Sequence, residues 1–204
     1  MTHVIFVTHP DVVVDPEVPV PEWRLSPRGL QRIRTMLAQP WVRSVAAVFA
    51  SAERKARDAA AILAAHRGIA VTVIPELGEN DRSATGYLAR EEFERVADKF
   101  FAWPEASVRG WERAVDAQAR IVGAIERVIA AMPQSGDTAV VSHGAVGALL
   151  LCQLTGRTIG RDADQPATGG GNFFVFDAVS RRLLHGWQPI DPPLDGATSG
   201  ESRT

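Results

Sequence analysis

Two apolar stretches that each end in a histidine constrain this chain more than any other feature. Residues 4–8 run directly into His9, and residues 138–142 run into His143 and then Gly144. Apolar runs of this length are typical of buried parallel strands. Open α/β sheets bind ligands at the carboxyl ends of such strands, so we expect the two histidines to share one edge of a sheet.

The pattern over the whole chain predicts an α/β fold, because strands and helices alternate along most of it. We expect a three-layer α/β/α sandwich around a mostly parallel sheet, with a small helical cap. Ser26 and Pro27 begin the first helix, as N-cap and first helical residue. The later helices are predicted at 53–66, 91–101, about 111–132 and 145–154, and the later strands at 45–50, 71–74, 172–177 and 183–188.

The length of 204 residues fits one domain, predicted over 1–191 with the cap as an insertion at about 76–110. Residues 192–204 carry little that a core could bury, and we expect them to be disordered. The net charge of −2 indicates neither a nucleic-acid nor a membrane partner. With a single cysteine, Cys152, and no leader pattern, the chain is expected to be cytoplasmic.

The paired histidines favour chemistry on phosphorus. His143 and Gly144 open a helix, and the free amide groups and dipole of a helix N-terminus favour an anion. A neutral imidazole such as that of His9 can attack a phosphoryl group and form a phosphohistidine. Glu79 follows the third strand in a polar loop, from which a carboxyl group can protonate the leaving oxygen.

Several short motifs, in this order, resemble those of the histidine phosphatase superfamily, also called phosphoglycerate mutase-like. The resemblance covers about residues 3–190. No single motif is specific, but their order and spacing are. The matching segments are Val7-Thr8-His9-Pro10, Leu25-Ser26-Pro27-Arg28-Gly29-Leu30-Gln31, Ser51-Ala52-Glu53-Arg54-Lys55-Ala56, Leu77-Gly78-Glu79, the positions Gly110, Asp116 and Arg120, and Ser142-His143-Gly144.

The resemblance implies a role for each matching residue. It assigns His9 as the phosphate-accepting nucleophile, Glu79 as the proton donor and His143 as a phosphate ligand. It also implies a small phosphorylated molecule as the substrate, with no cofactor and no metal.

The chain departs from the family pattern around the phosphate. Thr8 stands in place of the arginine before the nucleophile, and Pro10 in place of the glycine after it. Lys55 takes the place of the second arginine, and Asp15 that of an asparagine. Lysine keeps the charge but lacks the two-pronged fork of arginine.

Replacement phosphate ligands must therefore come from elsewhere in the chain. We expect them among Thr8, Lys55, Arg82 and Gly144, with Arg54 and Arg57 as further candidate cations. Losing one arginine contact costs on the order of ten- to a hundredfold in rate unless another cation replaces it.

Three functions remain open from the sequence. The first is a phosphohydrolase acting through a phosphohistidine at His9, with a mutase less favoured because the pocket is short of cations. The second is a catalytically degenerate family member that binds a ligand or a protein. The third is a metal hydrolase with histidine and acidic ligands. It is disfavoured because these residues lack a spacing that places metal ligands on one face of a helix, such as His-x-x-x-His.

Overall fold

The computed structural model describes residues 2–191. The predicted disorder of 192–204 lies outside the described residues. Within that range, no helix combines the length and apolar character that a membrane crossing demands.

A six-stranded mixed sheet forms the centre of the molecule, which confirms the predicted fold class. The strand order is β3-β2-β4-β1-β5-β6. Strands β1 to β4 run parallel to one another, and β5 is antiparallel to both of its neighbours, β1 and β6. The strands are β1 (His3–Thr8), β2 (Val45–Ala50), β3 (Val71–Val73), β4 (Asp137–Ser142), β5 (Asn172–Asp177) and β6 (Leu183–Pro189).

Five α-helices cover the two faces of this sheet. They are α1 (Pro27–Met36), α2 (Arg54–Arg67), α3 (Arg90–Ala102), α4 (Ala114–Ala130) and α5 (Gly144–Thr155). The Ser26 hydroxyl accepts a hydrogen bond from the Gly29 amide at 3.0 Å, which confirms the predicted N-cap of α1. Short 3-10 turns occur at Val20–Glu22, Pro40–Ser44, Pro75–Leu77, Val108–Gly110 and Arg161–Ala163.

The helix predicted over about 111–132 is shorter than the pattern indicated. It begins only at Ala114, because Trp111 and Arg113 have extended backbone angles. The Glu112 amide donates instead to the Asp81 carbonyl at 2.9 Å, so this stretch is hydrogen-bonded to the preceding loop.

Alternate residues of β1 supply the two halves of the core. Val4 and Phe6 pack with the helices α3, α4 and α5, whereas Ile5 and Val7 pack with α1 and α2. This alternation follows from the two-residue period of a strand. Burial on both faces fixes β1 as a central strand, so its end is a rigid support for the residue that follows.

Candidate active site

His9 follows the central strand β1 and is half-buried. Its amide donates to the Ser142 carbonyl at 3.1 Å, and its Nδ1 lies 3.0 Å from the Pro10 carbonyl oxygen. Because a carbonyl only accepts, Nδ1 carries the proton and Nε2 keeps a free lone pair. Burial, helped by the charge of Lys55, lowers the pKa of His9 to about 4. The imidazole is therefore neutral at pH 7.

His143 follows β4, the neighbour of β1, and is fully buried. The two imidazole rings are 5.1 Å apart and inclined at 69°. This pairing follows from the register of the two strands, in which Thr8 lies opposite Ser142. The sequence-based expectation that both histidines share one edge is thus met in the structure.

The two nitrogens of His143 have different surroundings. Nε2 lies 2.7 Å from the Ser51 hydroxyl and 3.3 Å from Glu53 Oε1. Nδ1 is buried and has no hydrogen-bond partner within residues 2–191. Burial lowers the pKa of His143 well below its usual value, although Glu53 opposes the effect. An anion at Nδ1 would give that nitrogen a partner.

Glu53 is a functional candidate that the sequence reasoning missed. It comes two residues after Ser51 at the end of β2, so the strand-end argument could have identified it. Its Oε1 accepts from the Glu79 amide at 2.8 Å, and its Oε2 lies 2.5 Å from Lys55 Nζ. Burial raises its pKa, but His143 and Lys55 outweigh burial and hold that pKa at about 2. One carboxylate thus connects three residues of the predicted site.

Glu79 lies against the N-terminus of α5. Its two carboxyl oxygens accept from the amides of Ala145 and Val146, at 3.2 and 3.1 Å. The helix N-terminus that was expected to attract phosphate therefore already binds the side chain expected to donate the proton.

Arg120 holds the loop that carries Glu79. Its guanidinium donates to the carbonyls of Glu76, Gly78 and Glu79 at 2.8 to 3.1 Å and forms a salt bridge with Glu112. The resemblance to the family pattern singled out Arg120 without assigning it a role. The contacts show that it fixes the path of the backbone at Glu79.

Lys55 and Thr8, two of the expected phosphate ligands, have partners within the protein. Lys55 is buried, pairs with Glu53 and donates to the Val20 carbonyl at 2.8 Å. The Thr8 hydroxyl is also buried and donates to Gln165 Oε1 at 2.8 Å.

Arg82 is the candidate cation that lies at the cavity. Its guanidinium lies over the rings of Phe93 and Trp111, at 5.0 and 5.6 Å from their centres. No salt bridge joins it to a carboxylate in the described part of the chain. Arg54 and Arg57, the other candidates, are exposed on the outer face of α2.

A cavity of about 340 Å³ brings together four of the predicted site residues, whereas Thr8, Lys55 and His143 do not line it. Its wall includes His9, Glu79, Arg82, Gly144 and Gln165. A larger cavity of about 480 Å³ shares Glu79, Asn80 and Arg82 with it and does not include His9. We place the chemistry in the smaller cavity because its wall, unlike that of the larger one, includes the nucleophile candidate.

The two acidic residues that follow His9 in the sequence, Asp11 and Asp15, do not line the cavity. Asp11 forms salt bridges with Arg28 and Arg32, and Asp15 accepts from the Glu17 amide. Arg32 also donates to carbonyls of residues 168–171, which ties this loop to α1. Sequence reasoning missed Arg32, because nothing in its local pattern marks a buried arginine.

No cluster of three or more His, Cys, Asp or Glu side chains with the arrangement of metal ligands occurs within residues 2–191.

Comparison with solved structures finds the same fold in several proteins. A mycobacterial glucosyl-3-phosphoglycerate phosphatase, solved with inorganic phosphate, is 19% identical with a TM-score of 0.75, over 94% of this chain and 100% of that chain. A putative α-ribazole-5'-P phosphatase from Escherichia coli is 18% identical with a TM-score of 0.70, over 93% and 98%. The YhfR protein of Bacillus stearothermophilus is 20% identical with a TM-score of 0.73, over 91% and 95%. At these identities the likeness establishes the fold.

A search of curated proteins found no match. The family model of the histidine phosphatase superfamily (branch 1) matches residues 19–168, a range that begins after His9 and includes Glu79 and His143. The match spans most of the chain. The chain therefore belongs to the histidine phosphatase superfamily.

Proposed function

We propose that this protein hydrolyses phosphomonoesters of small molecules through a phosphohistidine at His9. The observation that carries the proposal is the state of the His9 ring: Nδ1 is fixed on the Pro10 carbonyl, and Nε2 keeps its lone pair beside His143. A neutral imidazole in this tautomer is the form that attacks phosphorus. Membership of a phosphatase family and the phosphatases among the similar structures support the same reaction class.

The proposed reaction has two steps. In the first, His9 Nε2 forms a bond to phosphorus while the bond from phosphorus to the ester oxygen breaks. A protonated Glu79 gives its proton to the departing oxygen. In the second, Glu79 takes a proton from a water molecule, which attacks phosphorus and breaks the P–N bond. Inorganic phosphate leaves, and His9 and Glu79 return to their starting states.

The non-bridging phosphate oxygens need donors throughout this cycle. His143 can supply one from Nδ1 once the phosphate charge draws a proton onto the ring, because Glu53 lies beside Nε2 and stabilises the imidazolium. Arg82 can supply a cation, because no carboxylate pairs with it within residues 2–191 and aromatic rings support it at the cavity. Lys55 contributes positive potential rather than direct contact, since Glu53 and Val20 occupy its ammonium group.

The test is hydrolysis of p-nitrophenyl phosphate and a panel of natural phosphomonoesters by the wild type and His9→Ala. We expect the variant to lose at least about a thousandfold in kcat/KM, since removal of a nucleophile abolishes the main route. Rapid quenching with ³²P-labelled substrate should trap an acid-labile, base-stable phosphoprotein in the wild type only. His66→Ala, which removes an exposed histidine on α2, is the matched control. Full activity of His9→Ala, or no hydrolysis of any ester by the wild type, contradicts the proposal.

A second candidate function is ligand or protein binding without turnover. It is favoured by one observation, that Thr8 and Lys55 have partners within the protein at the positions where the family pattern has arginines. This candidate predicts a folded protein with no measurable binding of phosphate or orthovanadate in calorimetry. Competitive inhibition of a measured phosphatase activity by orthovanadate would exclude it.

A further inference from the structure

Gln165 belongs to the loop before β5 and has one end of its amide fixed by two buried residues. Its Oε1 accepts from the Thr8 hydroxyl at 2.8 Å and from Asn172 Nδ2 at 3.0 Å. The Thr8 oxygen itself accepts from the Asn172 amide at 3.0 Å, and its single proton goes to Gln165 because the other acceptor within reach, the Asn172 carbonyl, is farther away at 3.3 Å. Two donors on one oxygen assign that oxygen as Oε1, and the NH₂ group therefore occupies the opposite end.

The NH₂ group of Gln165 lies where a phosphate is expected. Nε2 is next to Gly144, the first residue of α5, and a side chain at Gly144 would collide with it. Gln165, Gly144 and His9 line the same cavity. Within residues 2–191, no acceptor takes the Nε2 protons, although Oε1 has two donors. The two Nε2 protons of Gln165 are thus held at the cavity by hydrogen bonds from two buried residues, Thr8 and Asn172, to the Oε1 of the same amide.

We propose that Gln165 binds a non-bridging phosphate oxygen through Nε2 and so replaces the arginine expected at position 8, with Thr8 as its positioning residue. This inference rests on the proposed function, because it concerns the phosphate of the same reaction. Threonine is too short to reach the phosphate as an arginine would. Through its hydroxyl it instead fixes a neutral donor that comes from the other end of the chain.

Gln165→Glu is the sharpest variant for this proposal. It is isosteric, it keeps an oxygen to accept from Thr8 and Asn172, and it changes only the NH₂ end to an oxygen. Gln165→Leu removes the donor without adding charge. We expect both variants to bind inorganic phosphate and orthovanadate about ten- to a hundredfold more weakly than the wild type, with Glu weaker than Leu. Isothermal calorimetry measures both ligands, and thermal unfolding verifies that each variant is folded.

Thr8→Val tests the positioning role, because valine keeps the shape of threonine and removes only the hydroxyl. We expect a smaller loss of phosphate affinity than in Gln165→Leu. The double variant Thr8→Val/Gln165→Leu should bind phosphate as weakly as Gln165→Leu alone, since the proposal has Thr8 affect phosphate binding through Gln165. Additive losses in the double variant would show that Thr8 does not act through Gln165.

The outcomes separate this inference from the proposed function. Gln153→Glu, an exposed glutamine on α5, is the charge control and should bind phosphate like the wild type. If the wild type hydrolyses esters and binds phosphate while Gln165→Leu binds it equally well, the inference about Gln165 is wrong and the proposed function stands. If the wild type neither binds phosphate nor hydrolyses any ester, both fail.

Discussion

His9 and His143 are two histidines that burial keeps neutral in the folded protein. Burial lowers the pKa of His9 from 6.5 to about 4 and lowers the pKa of His143 in the same direction. In the unfolded chain both regain their usual values. As pH falls below 6.5, the two histidines bind protons in the unfolded chain, whereas His9 in the folded protein binds its proton only near pH 4. The contribution of these histidines to the free energy of unfolding is therefore complete above pH 6.5 and is lost as pH falls toward 4.

We predict that the free energy of unfolding falls by about 3 kcal/mol or more between pH 7 and pH 4, since each unit of pKa shift is worth about 1.4 kcal/mol. Urea denaturation across this range measures it. His9→Asn should flatten the pH dependence, whereas His66→Asn, at an exposed position, should not. The stabilisation linked to Glu53, whose pKa is about 2, fades only at lower pH, between about 4.5 and 2. An equal slope in wild type and His9→Asn would contradict the assignment.

The loop before β5 is the element on which the backbone around His9 depends. Three consecutive glycines, Gly169 to Gly171, have φ angles of 80°, 75° and 65°, a region that favours glycine. The Gly171 amide donates to the His9 carbonyl at 3.1 Å, and a side chain on Gly170 would collide with the same carbonyl. The loop therefore approaches His9 more closely than any residue with a Cβ atom allows.

A matched pair of variants separates backbone strain from this close approach. Gly68 ends α2 with φ of 68° and has open space around it. We predict that Gly68→Ala costs about 1–2 kcal/mol of stability and leaves phosphate affinity unchanged. Gly170→Ala should cost more stability than Gly68→Ala and also weaken phosphate binding, because His9 must move. Urea denaturation and phosphate titration measure both effects, and equal behaviour of the two variants would contradict the prediction.

The elements that carry the histidines could be predicted because their signals are local. Apolar runs ending in His9 and His143 fix two strands, and the geometry of parallel sheets then places both ends at one edge. The start of α1 was equally accessible, since Ser26 and Pro27 form a recognised N-terminal pattern. The start of α4 was not, because contacts of Glu112 with a distant loop override the helical periodicity.

The partners of the predicted site residues could not be predicted from the sequence, because most of them lie far away along the chain. The contact of Thr8 with Gln165 joins residues 157 positions apart, and no local pattern reports such a pairing. Residue type alone suggested that Lys55 would be a free cation, whereas Glu53 and the Val20 carbonyl occupy it. Charge and spacing identify candidate groups, but only tertiary contacts decide which donors remain available to a ligand.

The molecule as a whole distributes stability unevenly across the sheet. Strands β1 and β4 each have neighbours on both sides and are almost fully buried. Strand β3 is a three-residue edge strand with two exposed positions. We predict that the amides of β1 and β4 exchange with deuterium only on global unfolding, whereas those of β3 exchange through local opening. Hydrogen exchange followed by mass spectrometry or NMR measures this, and equal protection in β3 would contradict the prediction.

The contact between Thr8 and the start of β5 has a consequence for the order in which the chain is made. Thr8 and Asn172 are 164 positions apart, and both must be in place before the loop can close on His9. At translation rates of about 5–20 residues per second, roughly 8–30 s pass between their synthesis. The nucleophile candidate thus leaves the ribosome well before the residues that complete the site around it. During synthesis the chain therefore carries His9 before it carries the residues that enclose this histidine in the folded protein.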